Sequence, residues 1–152
     1  MNNKGFTLIE LIIVISVLAM IALLSAPSIV KLIDKNKVDN YNSTIDSILE
    51  ATELYASNNR YQLNFNDNCI PGDTKDVYTT ITFNNLINSK DISSPIKNFC
   101  TDENINNNTQ IRIILNCGTK QFSYKIIGLK EKENVTDEDG RIISGKTCDD
   151  LY

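Results

Sequence analysis

The side chains able to do chemistry are few: one carboxylate at the edge of an apolar segment, and four cysteines. Glu10 stands directly before twenty consecutive residues, 11–30, that carry no charge. The chain has no His, so it lacks the most versatile general base near neutral pH and the commonest metal ligand. It also offers no nucleophile–base pair and no phosphate-binding glycine loop. We therefore expect a protein that is not an enzyme and needs no cofactor.

The four cysteines are able either to bind a metal or to form disulfides. They are Cys69, Cys100, Cys117 and Cys148, and no two of them form the CxxC pair typical of a zinc site. Disulfides suit a small exported domain better, so we expect two disulfides and no metal. Three pairings are possible on paper, and the order of the strands is needed to choose between them.

The N-terminal segment has three interpretations, and Glu10 separates them. Lys4 and the small residues of 25–27 are compatible with a secretory signal peptide, but Glu10 falls within its apolar part and Pro27 lies unfavourably near the cut. A plain membrane anchor needs about 20 apolar residues, which Leu11–Val30 supplies. It leaves Glu10 unexplained, because a carboxylate in hydrocarbon is costly and needs a partner.

The third interpretation accounts for Glu10. The run Lys4-Gly5-Phe6-Thr7-Leu8-Ile9-Glu10, followed directly by the apolar segment, resembles the leader-processing motif of the type IV pilin and pseudopilin family. The resemblance implies that a prepilin peptidase cuts between Gly5 and Phe6 and N-methylates Phe6. It also implies that Glu10 neutralises the new Phe6 amine of a neighbouring subunit in a filament.

Two further positions of this chain can be compared with the N-terminal helix of that family. Pro27 matches the proline that kinks it. Ala19 departs from a glycine that many members carry at the corresponding position. Because Ala is a strong helix former, local unwinding on the N-terminal side of Pro27 is less favoured.

Beyond Pro27 the spacing predicts that the helix continues. Residues expected to face a core recur every three or four positions, and this pattern ends at Asn58-Asn59. A helix over Phe6–Asn58 is about 80 Å long, too long for one small head to cover. An alternative, a short anchor and a separate core helix broken at Pro27, gives the same pattern. The stripe consists of Val38, Tyr41, Ile45, Ile48, Thr52 and Tyr55.

The rest of the chain is predicted to be a small sheet with loops and one short helix. We expect a loop over 60–75, a helix over 80–89, and strands over 109–116, 121–128 and 141–147. These strands would form an antiparallel meander of three or four strands laid on the long helix.

The meander favours one disulfide pairing. In a three-stranded meander the ends of the first and third strands lie at the same edge of the sheet. Cys117 and Cys148 follow those two strands, so we expect Cys117–Cys148, which leaves Cys69–Cys100 to pin the loops. Each bond is worth about 3–4 kcal/mol in the chain-entropy model.

These elements divide the chain into four segments. Residues 1–5 are a leader peptide, 6–30 a transmembrane and filament-core helix, 31–59 its amphipathic continuation, and 60–152 a globular head. The fold class is α+β. It is a long N-terminal helix with its hydrophobic half protruding, packed on a small antiparallel sheet, as in the type IV pilins that the chain resembles.

The resemblance implies a structural subunit of an extracellular type IV pilus or related filament, serving adhesion, motility or surface attachment. Before assembly the chain would cross the cytoplasmic membrane once with its head outside. Its partners would be the prepilin peptidase, the pilus assembly machinery and other pilin subunits, in a homo- or heteropolymer. The formal charge of −4 argues against direct binding of nucleic acid. The alternatives are a minor pilin or pseudopilin of a DNA-uptake or secretion system, and a membrane-tethered binding domain that never polymerises.

Overall fold

The structure, a computed structural model, describes residues 7–63, 65, 69–70 and 72–152, without the side chains of residues 24–27. The chain divides into two compact units, Met1–Asn36 and Lys37–Tyr152. Its helices and its antiparallel sheet confirm the predicted α+β class. The elements are α1 (Leu8–Asn58), β1 (Asp76–Thr82), α2 (Phe83–Asn88), β2 (Gln110–Asn116), β3 (Phe122–Ile127) and α3 (Cys148–Leu151).

α1 is one continuous helix from Leu8 to Asn58. The alternative of two helices broken at residue 27 is therefore wrong, and the predicted end at Asn58 is confirmed. Within the second unit the predicted stripe is buried, and Ile48 and Thr52 have no exposed surface. The Thr52 hydroxyl donates to the Ile48 carbonyl at 2.7 Å, which satisfies this buried polar group. The other buried members are Val38, Tyr41 and Ile45, and Tyr55 is half-buried.

The sheet consists of three antiparallel strands in the order β1-β2-β3. On the central strand β2, the alternate side chains of Ile111, Ile113 and Leu115 are buried. Ile111 lies opposite Ile81 on one side and Ile126 on the other. These side chains share one hydrophobic core with the stripe of α1. Because successive side chains of a strand alternate between faces, the intervening residues form a second face directed away from this core.

β1 is a strand that the sequence prediction missed. The predicted helix over 80–89 is too long, since residues up to Thr82 belong to β1 and α2 is limited to Phe83–Asn88. β1 is rich in β-branched residues, and its burial alternates with Ile81 inside, as is typical of a strand. Thr82 is the N-cap residue of α2, and its backbone N–H and hydroxyl both donate to Asn85 Oδ1 at 2.8 Å.

The predicted strand over 141–147 is also wrong. Ile142 forms an isolated bridge with Thr136, and its other neighbour is a side chain of α1. The Asn42 amide donates to the Ile142 carbonyl at 2.9 Å, and Asn42 Oδ1 accepts from the Ile142 N–H at 2.7 Å. One side chain thus replaces a neighbouring strand. The backbone turns away at Gly145, whose φ of 83° favours glycine.

The disulfide pairing differs from the prediction as a consequence. The bonds are Cys69–Cys117 and Cys100–Cys148, not Cys117–Cys148 and Cys69–Cys100. The Cys117 N–H donates to the Lys75 carbonyl at 3.0 Å, so the chain entering β1 meets the end of β2. β1, and not a C-terminal strand, is the third strand of the sheet. Cys148 is instead the first residue of α3, and it forms a disulfide with Cys100 in a loop.

Peptide mapping without reduction should recover the observed pairing. Lysines and arginines separate all four cysteines, so trypsin should release one linked pair containing Cys69 and Cys117 and another containing Cys100 and Cys148. Each bond spans 48 residues of sequence. In the chain-entropy model its removal costs about 4 kcal/mol of the free energy of unfolding. A peptide joining Cys117 to Cys148 would contradict the structure.

Substitution of Asn42 should destabilise the head. Asn42→Ala leaves the N–H and carbonyl of Ile142 without these partners, so we expect a loss of about 1–3 kcal/mol in the free energy of unfolding. Asn40→Ala is the matched control, because Asn40 is an exposed residue of the same helix and should change stability by less than about 0.5 kcal/mol. Urea unfolding followed by circular dichroism measures both. Equal effects of the two substitutions would show that the Asn42 bridge contributes nothing.

Candidate functional site

The N-terminal part of α1 presents an apolar surface. Its described large apolar side chains are about half exposed or more, from 48% at Ile12 to 77% at Leu8. The helix is long and apolar enough to cross a membrane, by length and composition. The Ser16 hydroxyl donates to the Ile12 carbonyl at 2.7 Å, so it needs no water. This segment fits a membrane anchor, because hydrocarbon requires polar groups to be satisfied internally.

The first turn of α1 fixes Glu10 through Thr7. The Thr7 N–H and hydroxyl donate to Glu10 Oε2 at 2.8 and 2.7 Å. In return, the Glu10 N–H lies 3.4 Å from Thr7 Oγ1. This reciprocal arrangement is a capping box, with Thr as the N-cap residue and Glu as the third helical residue. The negative charge is also favourable at this end of a helix.

The capping box leaves Glu10 able to bind a second group. Both bonds from Thr7 end on Oε2, whereas a carboxylate has about four acceptor positions on its two oxygens. Among the described residues, no donor bonds Oε1, which can therefore accept from another group. A carboxylate among apolar side chains prefers a cationic partner. The geometry is compatible with binding of an ammonium group.

The structure places only some of the predicted processing residues. Gly5 and Phe6 lie outside the described residues, so cleavage and methylation there stay predictions. Residue 27 lies inside the continuous helix α1, and a kink at Pro27 also stays a prediction. Thr7 is the residue of this site that sequence reasoning missed. Its signal is the Thr-x-x-Glu pattern directly before an apolar run, which is the sequence signature of a capping box.

The four cysteines and Arg141 stabilise the head. All four cysteines are in disulfides, which excludes zinc binding by them. Arg141 bonds the carboxylates of Asp46 and Asp139, and these hydrogen bonds raise its pKa further above the usual value. Within the part of the chain that the structure describes, no group of three or more His, Cys, Asp or Glu side chains is arranged to hold a metal ion.

Comparison with known proteins bears on the N-terminal site. Residues 1–26 match the family described as the prokaryotic N-terminal methylation motif. The chain has no significant match among curated proteins or solved structures. The matched range contains Glu10 and the predicted cut, and it runs into the apolar part of α1. This match, the long apolar helix and the small antiparallel sheet together support the interpretation of the chain as a type IV pilin-like or pseudopilin precursor.

Proposed function

We propose that the chain is a structural, non-enzymatic subunit of an extracellular type IV pilus or related filament. The observation that carries the proposal is the exposed apolar surface of α1 directly behind the methylation motif. Moving one large aliphatic side chain out of water is worth about 1.5–3 kcal/mol. A surface of this size needs lipid before assembly and the helices of neighbouring subunits afterwards.

Processing prepares Glu10 for its partner. Cleavage between Gly5 and Phe6 leaves a new amine, methylated on Phe6, at nearly the same depth as the Glu10 carboxylate. In a bundle of staggered helices the amine of one subunit neutralises the Glu10 of another, which fixes the register between copies. The capping box supports this role, because it holds the Glu10 side chain in place while leaving Oε1 without a bond from the described residues.

The head is expected on the outer side of the cytoplasmic membrane. Two disulfides support this orientation, because such bonds form and persist outside the reducing cytosol. The partners are then the prepilin peptidase, the pilus assembly machinery and other pilin subunits. The filament serves adhesion, motility or surface attachment. A minor pilin or pseudopilin of a DNA-uptake or secretion system is the second candidate, since the same motif serves both.

The mature N-terminus is the first test. We expect mass spectrometry of protein from the sheared cell-surface fraction to find a chain that begins with N-methylated Phe6. A matched sample from the membrane fraction shows whether the uncut precursor accumulates there. An intact Met1 in every fraction, or a cut near residue 26, would contradict the proposal. The former would indicate a membrane-tethered domain, and the latter a secreted one.

Substitutions of Glu10 should separate helix capping from charge pairing. Gln at this position retains a capping box but cannot neutralise an amine, and Val loses both capacities. We expect Glu10→Gln and Glu10→Val to insert into the membrane normally and to reduce the sheared filament at least about tenfold, the size expected from losing one charge pair. Glu50→Gln, at an exposed position of α1 in the head, is the matched control.

The three variants distinguish the possible roles of Glu10. Normal filaments from Glu10→Gln but not from Glu10→Val would assign Glu10 to capping alone. Normal filaments from both would remove Glu10 from assembly altogether. Failure of Glu50→Gln would show that the loss is not specific to the N-terminal site.

A further inference from the structure

The outer face of the sheet places two cations side by side. Arg112 on β2 lies directly opposite Lys125 on β3. Both side chains belong to the face directed away from the hydrophobic core, since their neighbours Ile111 and Ile126 are buried. Like charges directly opposite each other across two strands destabilise a sheet.

Arg112 has no anionic partner among the residues that the structure describes. Its guanidinium carbon lies 4.4 Å from the centre of the Tyr78 ring, a stacked cation–π contact that holds the group in place. Its Nε is shielded from solvent and has no hydrogen-bond acceptor among the described residues. A ligand cannot reach an atom that water does not reach, so any ligand would bind the terminal nitrogens of the guanidinium, and Nε would report that contact from close by.

Lys125, in contrast, is already neutralised. Its Nζ lies 3.1 Å from Glu131 Oε2. Arg112, Lys125 and Glu131 line one shallow cavity of about 300 Å³, whose remaining wall is formed by Ile127, Gly128 and Leu129. The cavity therefore carries two positive charges and one negative charge, a net charge of +1 next to an apolar wall.

We propose that this cavity, the Arg112 notch, binds a monocarboxylate carried on a compact frame with an apolar face, such as the ring of an acidic monosaccharide. The net charge of +1 matches one carboxylate, and the planar guanidinium matches its two oxygens. Glu131 at the rim disfavours a dianion such as phosphate. The apolar wall formed by Ile127 and Leu129 suits the apolar face of a ring. The site does not depend on whether the chain polymerises.

Nuclear magnetic resonance of the labelled full-length chain in detergent micelles tests the site, with sodium glucuronate as the probe. The Nε–Hε resonance of Arg112 should shift saturably, while those of Arg60 and Arg141 serve as internal references. Glucose is the uncharged control of similar shape and should cause no shift. Inorganic phosphate should bind more weakly than glucuronate.

Three variants make the result specific. Arg112→Gln should weaken binding about tenfold or more, the loss expected for a charge-assisted bidentate contact, as followed by the amide signals of Lys125 and Ile127. Glu131→Gln should strengthen it, because it frees Lys125. Lys120→Gln removes an equal charge from the exposed turn after β2 and should leave binding unchanged.

Several outcomes would overturn the proposal. These are the absence of a saturable shift, an equal shift with glucose, tighter binding of phosphate, or undiminished binding by a folded Arg112→Gln variant. A shift of Arg112 that follows protein concentration without any probe would assign the notch to a second copy of the chain instead. If Arg112→Gln does not fold, weaker binding by Glu131→Gln contradicts the proposal independently.

Discussion

The apolar surface of α1 has to be buried outside the chain that carries it. Moving one large aliphatic side chain from water into apolar surroundings gains about 1.5–3 kcal/mol, so burying a handful of them gains as much free energy as the whole stability of a folded domain, about 5–15 kcal/mol. The described side chains from Leu8 to Ile33 are about half exposed or more. The precursor is therefore stable only where lipid or other helices cover this surface. The internal bond of Ser16 and the cap at Thr7 both follow from this, because each satisfies polar groups without water.

The head, in contrast, supplies its own stability. Its core joins the α1 stripe to the inner face of the sheet, and its two disulfides enclose overlapping loops, 69–117 and 100–148. The central strand β2 lies within both loops. Its hydrogen-bonded neighbours and its cross-links therefore restrain the same segment.

The sequence predicted those parts of the fold that depend on local periodicity. The α1 stripe follows from spacing, the end at Asn58 from the Asn58-Asn59 pair, and strands β2 and β3 from Ile-rich composition and the turn between them. The disulfide pairing did not, because it depends on which strand completes the sheet. The partner of Ile142 could not be predicted from periodicity either. It is the Asn42 side chain, which takes the place of a strand and lies 100 residues away in the sequence. Of the candidate site, Glu10 was predicted, and Thr7 was missed although its capping signature is local.

The first turn of α1 shows why a glutamate, rather than another polar residue, suits the proposed assembly. The N-terminus of a helix carries a partial positive charge, and processing would add the Phe6 ammonium next to it, directly before the N-cap Thr7. That amine is unfavourable beside its own helix end and favourable beside a carboxylate. Gln would serve the cap but not the amine. Because both bonds from Thr7 end on Oε2, Glu10 can cap its own helix and neutralise a neighbour's amine at the same time.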